Sequence, residues 1–139
     1  MSDTLTITGQ RLHEIRSGFV LLKERILPTL NAEIRVATQF KALLPAIERY
    51  DARKRAIEMD HIETTGEGKA VRVREKELRE KLKDLDDEQI EIPAPRRRLT
   101  PADLPLRLKS DESEKNRESN AAIMIALAPE FFELPVEPE

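Results

Sequence analysis

Apolar residues in the first third of the chain return at alternating three- and four-residue steps. Leu12, Ile15, Phe19, Leu22 and Ile26 fall on one stripe of a helix. That spacing commits the chain to helices packed through aliphatic seams. The helix is expected over about Gly9–Leu27 and stops at Pro28, because the residue before a proline is driven out of the helical region. Gly18 lies inside it, either as a soft spot or as a point of close approach for a neighbouring helix. A second helix restarts near Thr29 or Asn31, both good N-caps. Its stripe is Leu30, Ile34, Ala37, Phe40, Leu44 and Ile47, continued by Tyr50 and Ile57. Pro45 removes a helical donor and crowds the turn before it. Leu43, Ile47 and Tyr50 keep the spacing across it, which favours a kink over a break. At 1.5 Å per residue this helix would be about 45 Å long. Beyond Tyr50 the sequence DARKRAIEMDHIE is mostly charged, with a thin apolar face of Ala56, Ile57, Met59 and Ile62.

TTGEGK, residues 64–69, is a turn punctuated by Gly66 and Gly68. A third helix is expected over about Val71–Leu85, with Val71, Leu78, Leu82 and Leu85 as its seam. Glu75–Arg79 and Glu77–Lys81 are favourable i,i+4 pairs. The second and third helices then form a long charged antiparallel hairpin, over about 31–85.

Two stretches change period. TLTIT (Thr4–Thr8) and EQIEIP, around Ile90 and Ile92, alternate apolar with polar residues, as strands do. Thr8 is also placed to cap the first helix. The strands near Leu5 and Ile90 are expected to pair, and RRRLT to be a further extended segment. TPADLP is a capped turn, with Pro101 in the favoured first position. The stretch 109–120, KSDESEKNRESN, reads as a polar loop. SNAAIMIALAP reads as a last helix capped by Ser119 or Asn120, burying Ile123, Met124 and Leu127. Residues 135–139 end an acidic tail. The expected fold is therefore mainly α (α+β): one helical domain over 1–134, a projecting hairpin and a small antiparallel sheet.

Composition narrows the chemistry. The 139 residues carry 37% charged and 4% aromatic side chains, no cysteine, and a net charge of −3. Disulfides, thiol catalysis and cysteine-ligated metal are excluded, and a reducing compartment fits. No global basic field favours nucleic acid. Asp3 and the lack of an apolar run argue against a signal peptide, and AAIMIALAP is too short to span a membrane. GEGK lacks the spacing of a phosphate loop, since Glu63 and Ala70 stand where a glycine and a Ser or Thr are required. His13 and His61 belong to no metal-ligand spacing. Glu58, Asp60 and Glu63 near His61 read as a solvated face rather than a metal site. No nucleophile motif occurs, so neither a catalytic residue nor a cofactor is expected, and the chain is read as no enzyme.

Two stretches are candidate contact sites. Arg96, Arg97 and Arg98 could hold phosphates. Acids precede them from Asp84 to Glu91, however, and Asp103 follows, so a structural edge or protein contact is the better reading. Pairing of DDEQIEI with RRRLT would put acid opposite base. Phe131 and Phe132, in PEFFELP, either close the core or form an acidic aromatic segment that docks on a partner.

The order of ILPTLNAEIRVA, LLPAIERYDARKRA, VREKELREKLKDLDDEQIEIP, TPADLP and LAPEFFE resembles a family of small tailed-bacteriophage proteins of unknown function, encoded among late and structural genes. The resemblance spans about Leu5 to Glu133, with 109–120 as an insertion. It implies a protein-interaction role in virion assembly or as a phage accessory factor, in the host cytoplasm or on the virion, with a phage structural or host protein as partner. The alternative is a regulator or inhibitor that binds a host enzyme or nucleic acid through the arginine run. The heptad seams also admit a homodimer.

Overall fold

In a computed structural model the chain is described over residues 4–23, 27–104 and 113–134, the side chains of 113–119 excepted. The fold is mainly α with a small β component (α+β). Strand β1 (Thr4–Thr8) leads directly into helix α1 (Gly9–Lys23), and helix α2 (Leu30–Asp60) follows. Strands β2 (Ile62–Thr64) and β3 (Ala70–Arg72) come next, then helix α3 (Glu75–Asp87) and strand β4 (Gln89–Pro93). A 3-10 turn at Pro101–Asp103 precedes helix α4 (Ser113–Leu127).

Local chemistry starts α1 and α2 as anticipated. The Thr8 hydroxyl accepts from the N–H of Arg11 at 3.1 Å, and that of Thr29 from the N–H of Ala32 at 3.1 Å. The strands β1 and β4 pair antiparallel, with Leu5 opposite Ile92 and Ile7 opposite Ile90. Ile7 and Ile92 are buried and Thr6 and Glu91 face outward, so the two-residue period places one face on the core. Because β1 is the partner of β4, the arginine run forms no acid–base ladder with DDEQIEI. A single parallel bridge instead joins Leu99 to Phe132.

The core lies where α1, α2, the β1–β4 sheet, the 99–104 segment and α4 meet. Phe19, Leu22, Leu43, Ile92, Leu99 and Leu127 are all essentially inaccessible. Gly18 is a point of close approach: a Cβ there would lie 2.9 Å from Leu127 Cγ and Cδ2. The Phe19 ring meets Phe131 edge-on, with centroids 5.4 Å apart.

Four expectations are corrected. First, α2 runs unbroken through Pro45, but its buried face is Ala32, Val36, Gln39, Leu43, Ala46, Ile47 and Tyr50. Leu30 and Ile34 are 69% and 55% exposed. The helix is apolar on two faces in this region, and contacts distant in sequence choose between them. Second, α2 and α3 are joined by a β-hairpin, and Val71 is a strand residue, so α3 starts only at Glu75. The two helices still run antiparallel, as the contacts of His61 with Glu77 and of Tyr50 with Asp86 require. Residues 63–72 at the far end are exposed. Third, α4 begins at Ser113, so the last two thirds of the expected polar loop are helix. Glu, Lys and Arg are favourable helix formers, and a polar composition does not by itself break a helix. Asn120 accordingly sits inside the helix. Fourth, His61 is buried rather than on a solvated face. The remainder of that loop, 109–112, the tail 135–139 and the expected helix end at 24–26 lie outside the described residues. Among the described residues no helix is long and apolar enough to cross a membrane.

Candidate functional site

Pro93 and Pro95 lack the N–H that a strand needs, so the chain leaves the sheet after β4 and bends at Arg96 and Arg97. The bend passes the N-terminal half of α2 and leaves a groove of about 410 Å³ between them. Ile34, Ala42, Pro93, Pro95 and part of Phe131 supply its apolar surface, and Arg35, Arg96 and Arg97 its charge. Among the described residues no carboxylate, histidine or serine lines it. A second hollow of about 480 Å³ shares Ala94, Pro95 and Arg96 and adds Leu5, Arg98, Pro129 and Glu130.

Hydrogen bonds fix the walls. Gln39 Nε2 donates to the carbonyl of Arg97 at 2.8 Å, pinning the bend onto α2. Gln39 is only 7% exposed, and its Oε1 has no hydrogen-bond partner among the described residues. Arg35 Nη1 donates to Asp103 Oδ1 at 2.8 Å. The other oxygen of Asp103 accepts from the N–H of Thr100 at 2.9 Å. This charge-assisted pair ties α2 to the 3-10 turn and occupies Arg35. The guanidinium groups of Arg96 and Arg97 have no ion-pair partner among the described residues, and both side chains are exposed.

The expected contact residues divide. Arg96 and Arg97 rim the groove, whereas Arg98 Nη1 turns away and donates to the carbonyl of Pro129 at 3.2 Å. Phe131 and Phe132 are 1% and 0% exposed, so neither ring is offered to a partner. Their backbone explains this. The N–H of Leu99 donates to Phe131 O at 2.8 Å and that of Glu133 to Leu99 O at 2.8 Å, which straps the segment onto the core. Arg11 clamps the same region, with Nε and Nη2 donating to the two oxygens of Glu130 at 2.8 and 2.7 Å. Arg35 and Gln39 were not singled out in the sequence, and Ile34 was expected as part of the buried stripe rather than as a contact residue. Gln39 did carry a signal: it is a polar residue in step with Val36 and Leu43, in a position that spacing reserves for the core.

The remaining candidates form no site. GEGK is the tip of the β2–β3 hairpin, closed by the Thr65 N–H to Lys69 O bond of 2.8 Å, with Gly68 at a φ of 79°. His61 caps α2. Its Nδ1 lies 2.7 Å from Ile57 O, and a carbonyl can only accept, so Nδ1 carries a proton. Nε2 is buried, 3.7 Å from Glu77 Oε1. Among the described residues no group of three or more His, Asp or Glu side chains is placed to hold a metal ion.

Comparison of the chain with protein-family models, with curated proteins and with solved structures gave no match.

Proposed function

We propose that the chain is a non-enzymatic protein-interaction module that works as a phage accessory or virion-assembly protein. The observation that carries the interaction reading is the groove, where exposed apolar surface and two unpaired arginines stand on a wall held by Gln39 and by the Arg35–Asp103 pair. Docking sites combine an apolar anchor position with a polar rim in this way, and a preformed wall lowers the entropy lost on binding. The phage setting rests on the resemblance of the helical and strand segments to that family. A second reading, a regulator that binds a host enzyme or nucleic acid, draws on the exposure of Arg96 and Arg97.

The test is recovery of tagged protein from a native lysate with and without nuclease, with a photo-crosslinking residue placed at Ile34 or, separately, at Met59. Nuclease-resistant capture of capsid or tail proteins is expected. Capture of a host enzyme would make the chain a regulator. Loss of every bound protein on nuclease treatment would overturn the reading in favour of nucleic acid.

A further inference from the structure

We infer that the groove between α2 and the Arg96–Arg97 bend receives a short extended acidic segment of a partner protein, with one large apolar side chain seated against Ile34 and its flanking carboxylates held by Arg96 and Arg97. This rests on the interaction reading and specifies its ligand.

Three observations favour this occupant. The charge on the described lining of this groove is of one sign: Arg35 is neutralised by Asp103, and Arg96 and Arg97 form no ion pair among the described residues, although Arg96 also borders the adjacent hollow that Glu130 lines. A guanidinium binds a carboxylate through two parallel hydrogen bonds, so these two residues select acidic side chains. The volume of about 410 Å³ suits a large side chain and the backbone on either side of it rather than a flat surface contact. Ile34, 55% exposed, provides apolar area that the described residues leave uncovered.

Nucleic acid fits the same groove poorly. Recognition of single strands relies on exposed rings for base stacking, and among the described lining residues the only ring is Phe131, 1% exposed. Arg98, which would extend a phosphate-binding track, is turned to the carbonyl of Pro129.

A library of short random peptides, selected on the immobilised full chain, tests the inference. The expected result is enrichment of sequences with Asp or Glu on both sides of Leu, Ile or Phe. The best sequence, fluorescein-labelled, is then titrated by anisotropy. Arg96→Gln with Arg97→Gln should weaken it about tenfold or more, and Ile34→Asp likewise. Arg72→Gln, an exposed residue of β3 outside the described groove lining, should leave affinity unchanged. All these positions are exposed, so the variants should keep the wild-type melting temperature, which is checked first. No enrichment, enrichment without acids, or affinity indifferent to Arg96, Arg97 and Ile34 overturns the inference. So does tighter, salt-sensitive binding of a single-stranded oligonucleotide with the same arginine dependence. A lysate partner that crosslinks from Met59 and not from Ile34 would leave the interaction module standing and remove this groove as its site.

Discussion

Replacing Gly9 with alanine puts a methyl group into the join between β1, α1 and the end of α3. Gly9 is the first residue of α1, and its N–H donates to Glu88 O at 3.0 Å. A Cβ there would stand 2.5 Å from Leu85 O, 3.0 Å from Tyr50 Cε2 and 3.3 Å from Asp86 Cα. Two of the three obstacles are backbone atoms, held by the last turn of α3 and by the register that sets Thr8 against Gln89. Relief therefore requires α1 to shift as a body. Overpacking by one methyl costs about 1–3 kcal/mol, and backbone obstacles place Gly9→Ala at the upper end, about 3 kcal/mol. At the start of a helix alanine's propensity brings little in return. Gly18→Ala is the comparison. Its obstacles are Leu127 Cγ and Cδ2 at 2.9 Å and Ala126 Cβ at 3.0 Å, and a mid-helix alanine returns about 1 kcal/mol, leaving a net cost of about 1 kcal/mol. Gly66→Ala, with nothing within 4 Å of its Cβ, is the control and should be neutral. Urea melts followed by far-ultraviolet circular dichroism give the three values. The corresponding fall in Tm for Gly9→Ala is about 10 °C. A Gly9→Ala protein as stable as wild type, or less affected than Gly18→Ala, would mean that α3 does not lie against the β1–α1 junction.

Two pH limbs follow from side chains held at helix ends. The Tyr50 phenol, buried and donating to Asp86, has its pKa pushed up to about 12, first by burial and then by that hydrogen bond. Unfolded tyrosine ionises near pH 10, so stability is complete below that pH and falls as pH rises from 10 toward 12, by about 2–3 kcal/mol. Tyr50→Phe should flatten that limb in alkaline melts, and an unchanged slope would refute the contact. Glu130 behaves oppositely. Burial, the largest influence, pushes its pKa up, but the hydrogen bonds from Arg11 and from its own backbone N–H and the Arg11 charge outweigh it, leaving the pKa below 4.5. Its stability contribution is present above pH 4.5 and is lost as pH falls through the depressed value. Glu130→Gln should remove this part of the acid limb in urea melts at stepped pH, and an identical acid profile would count against the clamp.

The parts of the fold visible in the sequence are those that local chemistry decides. Thr8 and Thr29 cap their helices because a hydroxyl three residues before a free N–H can do so in any context. β1 and β4 show because alternation marks one buried face. What did not show was decided at a distance. Ile62–Thr64 and Ala70–Arg72 are too short to display a period, so only their turn was legible. Ser113–Asn120 has no apolar residue to mark a face, although its residues favour helix. The groove depends on where the chain after β4 crosses α2, which no local pattern states. Of the candidate contact residues, Arg96 and Arg97 came from the sequence, whereas Gln39, Arg35 and Ile34 needed the crossing. The rings of Phe131 and Phe132 could have gone either way until the bond from the N–H of Leu99 to Phe131 O put them inside.

The misplaced stripe on α2 bears on function. Leu30, Ile34, Ala37 and Leu44 follow helical spacing, yet the helix buries Ala32, Val36, Gln39 and Leu43 instead. A helix with two apolar faces in a domain of this size can turn only one of them to the core. Exposed aliphatic residues scattered singly carry no message, but Leu30, Ile34 and Ala37 share a helical face, and Ile34 opens onto a groove with arginines on its rim. The buried face, by contrast, includes Gln39, a polar residue whose amide carries the hydrogen bond that fixes the opposite wall of that groove. Burying this side chain with one atom unsatisfied costs stability, and an apolar residue of similar size would pack there without that cost. Loss of the Arg97 contact would free the bend but leave the hydrophobic core in place. Gln39 therefore serves the shape of the groove more than the stability of the fold, and the exposed face of α2 and the polar insertion in its buried face lead to the same site.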